Sequence, residues 1–476
     1  MLHTVRIEPP PPAWAGLIEQ RQAGNVLGRS LQEWRRITRR ELLGDSFGRI
    51  VATGHQAGFW HPGILSKYFA LDAAASRLVA DAVLELLVDQ DVHDLRSIRV
   101  PAVDPEGVLV ARDMRWTHWP DDEEPQATGV LPPILAEPSA WELKKGDQFA
   151  SIAVLMSCRA MGRSLVLHRN APSRAEQFAR ATAILREVRF ANRQLATRGL
   201  NVDDEWRDRR YLVAASSLSS TTLWDAVMAH LRRDPTSAWE AYNRAVAQHP
   251  EAGVVPLEYR TTGGCEMPCW LITPDGQRHR AFEHDLSRPD SHLLPRALLM
   301  TGLVRMALVD LFIHGLGGAE YDRITEQWFG DWLQCCLAPD TMVTATATLD
   351  LGRHTASPED LARAQWLIHH LPFNVDRFLD DPGPLQERER LLREIESLPH
   401  GSVLRRTLFE RMRTTQHALA DKHPDLLDAA REQLRITRQR MDEAALIHDR
   451  TWAFPLHSHE AMLELRDLVH RLFAAS

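Results

Sequence analysis

The chain has 476 residues, 44% hydrophobic and 25% charged, which excludes collagen-like, low-complexity and wholly disordered classes and, at roughly 150 residues per domain, predicts two or three packed units. Lysine and arginine total 56 against 64 acidic residues, a net charge of -8 that provides no global field for nucleic-acid backbones. Cys158, Cys265, Cys269, Cys335 and Cys336 are too few and too irregular for a disulfide framework, and the opening MLHTVRIEPPPPAW carries a proline run where a signal peptide needs an apolar stretch, so a cytoplasmic protein is expected.

Residues 1–45 read as a proline-rich arm followed by an amphipathic helix over Ala15–Leu43. The core is expected over 46–350. It opens with a strand over Arg49–Thr53, a glycine-punctuated loop, and a helix from about Ile64 to Leu78. A second strand, Ala82–Val88, breaks into Asp89-Gln90-Asp91-Val92-His93-Asp94, so polar residues collect where open α/β sheets bind ligands. Prolines and acids mark an insertion around 100–150, and a second is expected around 170–260. Helical patterns cover Gly146–Met161, Arg174–Thr197 and Thr221–Arg232, with short strands predicted at Ser164–His168 and Tyr211–Ala215. Pro274-Asp275-Gly276-Gln277 supplies hairpin chemistry between Met267–Thr273 and Arg278–Phe282. The apolar run Leu294–His314, interrupted by Arg296, Arg305 and Asp310, reads as core rather than membrane span. Gly315-Leu316-Gly317-Gly318 ends it before a helix over Ala319–Leu333, and Met342–Leu351 alternates as a strand. Residues 351–476 are helical with interleaved charges, a hairpin or short coiled coil through which a homodimer is expected.

Three segments carry the chemistry. In the first, Thr53 to Ile64, a glycine-broken loop before a helix points N–H groups at an anion, and His55 and His61 can donate to it; the plain alternative is a turn whose histidines cap the helix. His61-x-Gly63 resembles the His-x-Gly-His motif of class I nucleotidyltransferases and synthetases, without its second histidine. Lys67 follows, one of only four lysines. In the second, alternation along an extended segment would point Asp89, Asp91 and His93 together, against the alternative of an Asp-rich turn bonding its own backbone. With His55 and His61 they form a possible ligand set for a divalent metal such as zinc or manganese. In the third, Gly317 and Gly318 let backbone approach a ligand, and Glu320 and Tyr321 stand near the helix start to hold an amine or hydroxyl, unless the loop is only a tight turn. The cysteines read as buried free thiols, and His457-Ser458-His459 as surface.

The order of these segments resembles the cysteine-adding enzymes of bacillithiol biosynthesis. The blocks are Gly54-His55-Gln56-Ala57-Gly58-Phe59, Asp89 to Asp94, Met267-Pro268-Cys269-Trp270-Leu271, and Leu294 to Leu299 followed by His314 to Tyr321, scattered over about 45–350. That family carries Gly-Gln-Gln-Ala-Gly where this chain has His55 as the second residue, Glu-Asp-His-Asp where it has Asp91-Val92-His93-Asp94, and a proline after the glycine pair where it has Ala319. The resemblance implies a Rossmann-like parallel-sheet core related to class I synthetases and nucleotidyltransferases, with inserted segments and a C-terminal coiled coil. It further implies a ligase that joins the cysteine carboxyl to the amine of an amino-sugar conjugate such as glucosaminyl malate, with ATP or ADP as the nucleotide. His55 and His61 would then stabilise phosphate or oxyanion, Asp91 and His93 would position the amine or act as base, and Glu320 would hold an ammonium group. Gly54, Gln56, Gly58, Gly63, Lys67, Gly317 and Gly318 would form the cofactor cradle. Small-molecule substrates are the expected partners, with no nucleic acid and no membrane. The other readings are a metal-dependent hydrolase or transferase built on Asp89, Asp91 and His93, and a nucleotide-binding regulatory protein.

Overall fold

The computed structural model describes residues 4–19, 24–117, 126–137, 141–190, 209–288, 291–353 and 355–474. Two units emerge, one formed by Met1–Ala102, Ala111–Asp350 and Asp449–Ser476, the other by Val103–Val110 with Leu351–His448.

The first unit is α/β. Its strands include β1 (Thr4–Glu8), β2 (Ile50–Gln56), β3 (Ala82–Val88), β4 (Arg210–Ala214), β5 (Gly264–Ile272), β6 (Arg278–Phe282), β7 (His292–Pro295), β8 (Leu311–His314) and β9 (Asp340–Thr346). Six of them form one sheet in the order β1-β9-β8-β2-β3-β4. All neighbours in it run parallel except β1, which pairs antiparallel with β9 from Thr4 opposite Thr346 to Glu8 opposite Met342. β3 and β8 are buried almost along their whole length, Glu85 and His314 being their polar members, because both faces of a parallel sheet are covered. From β2 the chain builds outward to β3 and β4, then returns to lay β8 and β9 on the other side of β2. The succession therefore reverses between β2 and β8, and a crevice opens beyond their carboxyl ends.

Helices cover this sheet. On one face α1 (Leu31–Leu43) packs with the core helix that follows β7, and the cluster they share with the strands includes Ile50, Ala52, Leu84, Val304 and Phe312. α2 (Pro62–Arg77) follows β2 and packs on β9 and β2. The single helix expected over Ala15–Leu43 is instead a short helix, Trp14–Glu19, then a two-stranded hairpin of Asn25–Val26 and Arg29–Ser30, and then α1. The cause is local: Leu27 and Gly28 turn with φ 49 and 82, and Ser30 accepts from the Glu33 N–H to cap α1. The proline-rich arm likewise supplies an edge strand of the main sheet.

α3 (Ile152–Leu167) contains the segment predicted as a strand at Ser164–His168. Val154, Cys158, Met161 and Leu165 recur at helical spacing and are buried together, so the longer period overrides a short apolar run. α4 (Arg174–Phe190) matches the start of its predicted helix, and the remainder from 191 lies outside the described residues. Tyr211–Ala215 is strand as expected, and the predicted hairpin is β5 paired antiparallel with β6, which β7 joins from the other side of β5. α5 (Ala297–Ala307), the core helix after β7, leads to β8, and α6 (Leu316–Leu333) crosses from β8 to β9.

The second unit holds α7 (Pro358–His370), α8 (Gly383–Ser397), α9 (Val403–Lys422) and α10 (Pro424–His448). Leu391, Ile395 and Leu408 form a small core where α8 meets α9, and α7 packs on α10. α11 (His459–Ala474) belongs to the first unit and packs on α2, burying Met462, Leu465 and Val469. Just before it, His457 is 2% exposed rather than on the surface, because the Trp452–Leu456 run seats itself in the core, with the Phe454 N–H donating to the Trp60 carbonyl. The cysteines are free, and all but Cys336 are buried. Among the described residues no helix is long and apolar enough to cross a membrane.

Candidate functional site

A cavity of about 620 Å³ occupies the crevice, lined by the ends of β2 and β8, the starts of α2 and α6, Gln90 and Asp91 beyond β3, Trp270 on β5 and Arg296 at the N-cap of α5. Gly54 is dictated by packing: a Cβ there would lie 2.8 Å from the Leu86 Cβ and carbonyl oxygen on β3. Gly63 is dictated likewise, since a Cβ would meet the Ala345 carbonyl at 2.7 Å. The N–H groups of the α2 start are already used. His61 caps the helix, its Nδ1 accepting from the Gly63 N–H at 3.0 Å, and its carbonyl accepts from Ile64 and Leu65. This is the capping role that the sequence leaves open for the histidines. Burial, with Arg450 and Lys67 nearby, lowers His61 to about 4, which keeps that capping lone pair free.

The start of α6 differs. Gly315 occupies its N-cap without a side-chain hydrogen bond, and Gly317 and Gly318 follow in the first turn. Gly318 fits because a Cβ would lie 2.6 Å from the His314 Nδ1, whereas the space beside Gly317 is open. His314 is held by Asp322, with Nε2 donating to Oδ2 at 2.9 Å, so the ring turns Nδ1 toward Gly318. Between the β2 end and this loop lies Lys67, 3% exposed, whose Nζ donates to the Gly54 carbonyl at 2.6 Å. Burial lowers its ammonium to about 7, and burial next to Lys67 and His61 holds the His55 imidazole well below its ordinary value. Among the described residues neither Lys67 nor Arg450 has a carboxylate partner; Arg450 donates to the Thr344 hydroxyl at 3.0 Å.

The acid segment does not converge. β3 ends at Val88, so alternation stops there and the side chains diverge. Asp89 accepts from the Ser216 N–H at 2.9 Å and from its hydroxyl, a buried structural contact whose desolvation raises the carboxyl. Asp91 alone of the candidate acids reaches the cavity, accepting from Gln56 Nε2 at 2.6 Å and pairing with Arg278 at 3.1 Å. His93 is exposed and its Nε2 donates to the Ala57 carbonyl at 2.8 Å. Gly58 and Glu320 do not line the cavity; Gly58 has φ 145, and Glu320 is exposed on the outer side of α6.

Asp89, Asp91 and His93 are therefore no metal-ligand set. Among the described residues the one such group is His314, Asp322 and Asp340, with ligand atoms within 4.8 Å of one another. Its cation position is already filled: the Arg305 guanidinium, 0% exposed, pairs with Asp322 and Glu326 and lies 3.3 Å from Asp340. Those residues do not fit a metal ion.

Sequence reasoning missed Gln90, Arg296, Arg305 and Arg450. Gln90 is 2% exposed, and its Nε2 must face the Pro295 carbonyl at 3.0 Å, which leaves Oε1 without a partner among the described residues. Its signal was its place amid the acids. Arg278 and Arg296 stack on Trp270 at 4.1 and 4.5 Å, and of the two Arg296, which also pairs with Glu266, lines the cavity. Arg450 lies far along the chain between two helices and had no local signal. Neither protein-family models nor curated proteins match this chain.

Proposed function

We propose that the protein is a carbon–nitrogen ligase of the bacillithiol cysteine-adding type, with the parallel sheet a Rossmann-like core. One observation carries this reading: the blocks that carry the resemblance, separated by more than two hundred residues of chain, line a single cavity at the reversal of the sheet. Gly54, His55, Gln56, Asp91, Pro268, Trp270, Arg296 and His314 to Gly318 all contribute.

The chain offers what amide formation needs. The open first turn of α6, with Lys67 and Arg450, favours the oxygens of a carboxylate or phosphate as negative charge develops. His314, oriented by Asp322, can take the proton that an attacking amine must lose. Asp91, fixed by Gln56 and Arg278, is the acceptor that can position the amine before attack, the part the resemblance implies for Asp91 and His93. A nucleotide, when bound, supplies activation of the carboxylate, and its phosphates fit the same uncapped helix start and buried lysine. Among the described residues the His314, Asp322 and Asp340 group is occupied by Arg305, so no step is assigned to a metal.

The test is mass spectrometry of products after incubating the protein with cysteine, glucosaminyl malate and ATP, with each component omitted in turn. A cysteinyl adduct that disappears in Asp91→Ala is expected. No adduct from folded protein would sink the substrate assignment.

A further inference from the structure

The cationic end of the cavity is uncompensated. Lys67 is buried between the β2 carbonyl of Gly54 and the N-cap Gly315 of α6, its Cδ 3.7 Å from where a Gly315 Cβ would stand. The groups around it are His55 from β2, His61 from the α2 cap, His314 from β8 and Arg450, none of them an anion at neutral pH. The cavity's carboxylate, Asp91, is engaged by Gln56 and Arg278, and Tyr321 from α6 is kept neutral, pushed up to about 12. A buried ammonium without a counter-ion sheds its proton, and an anion arriving beside it restores the charge.

We propose that Lys67 is the counter-ion of a ligand oxyanion seated on the first turn of α6, and that this anion binds together with a proton taken up by the lysine. The ligand class is an oxyanion, from either a phosphoryl group or a carboxylate. The inference rests on the anion seat of the ligase reading and adds its protonation chemistry. With its ammonium lowered to about 7, Lys67 is mostly neutral at pH 8 in the empty cavity and cationic in the loaded one. The charge is thus supplied when the ligand needs it, and the apo protein is spared a buried unpaired cation.

The test is calorimetric titration of the whole protein at pH 8 with sulfate, standing for a phosphoryl group, and with acetate, standing for a carboxylate, each in two buffers of different ionisation enthalpy. Neither anion titrates near this pH, so proton uptake belongs to the protein. Uptake of about one proton per bound anion is expected for the wild type. Lys67→Arg, permanently charged, should bind without uptake, and Lys67→Met should lose at least about tenfold in affinity. Uptake with one anion but not the other supports the proposal and identifies the group that occupies the seat. Undiminished uptake in Lys67→Arg would assign the proton to a histidine and overturn the proposal, as would binding without uptake or the failure of both anions to bind. A cysteinyl adduct in the product assay would leave the ligase reading standing in each of those cases.

Discussion

Arg305 and Lys67 are both buried basic residues of the first unit, on α5 and α2, and their surroundings are opposite. The Arg305 guanidinium meets Asp322, Glu326 and Asp340 and also donates through Nε to the Ala338 carbonyl at 2.6 Å. Lys67 meets one carbonyl and several other cationic or neutral groups. A cation whose partners are supplied by the chain fixes structure: Arg305 ties α5 to α6 and β9, and through Asp322 it sets the ring of His314. A basic group left without an anionic partner beside a cavity marks a place where a ligand can complete the charge.

The comparison breaks most sharply at Arg305. Arg305→Met strands the buried Asp322 without its main cation, and a loss of about 3–5 kcal/mol in urea unfolding is expected. Lys67 should behave in the opposite way. Its pKa is lowered on folding, so between about 7 and the unfolded value the unfolded chain binds the extra proton and stability rises with pH. Measured against Lys67→Met, the wild type should gain about 2 kcal/mol between pH 7 and pH 9. An unchanged difference would mean that Lys67 is charged and compensated.

Asp322 sharpens the other side. Arg305, followed by His314, outweighs burial and holds its carboxyl at about 2, below the unfolded value. Its contribution is present above pH 4 and fades as pH falls toward 2, so wild type measured against Asp322→Asn should lose about 1 kcal/mol between pH 4 and pH 2.5. The smallest effect is expected at Glu326, whose side chain is 51% exposed although it touches Arg305. Glu326→Gln should cost about 0.5 kcal/mol or less in the same unfolding assay, because water screens that pair.

Much of the site was legible where the signal was local. The strand–loop–helix of β2 and α2, the polar break after β3 and the glycine loop before α6 all announce themselves within a dozen residues, through periodicity and punctuation. Glu320 shows a readable signal left unread. Asp322, Thr325, Trp328, Phe329 and Trp332 form a buried stripe along α6, and Glu320 lies off it. Asp89 and His93 fail for a different reason: two-residue alternation holds only while the strand lasts, and β3 ends one residue before Asp89. Ser164–His168 fails because five residues cannot distinguish the end of a helix from a strand.

The sequence by itself determined the α/β character, the positions of the glycine loops and the presence of a lysine in the helix that follows the first of them, because backbone preference and side-chain period act over short range. Only the tertiary structure decided which charges are paired. Asp322 reaches back seventeen positions to Arg305, Arg450 comes from beyond the second unit to the wall of the cavity, and Lys67 is left without a carboxylate. Charge compensation depends on distance in space and on burial, and both are set when β8 and β9 return to the far side of β2.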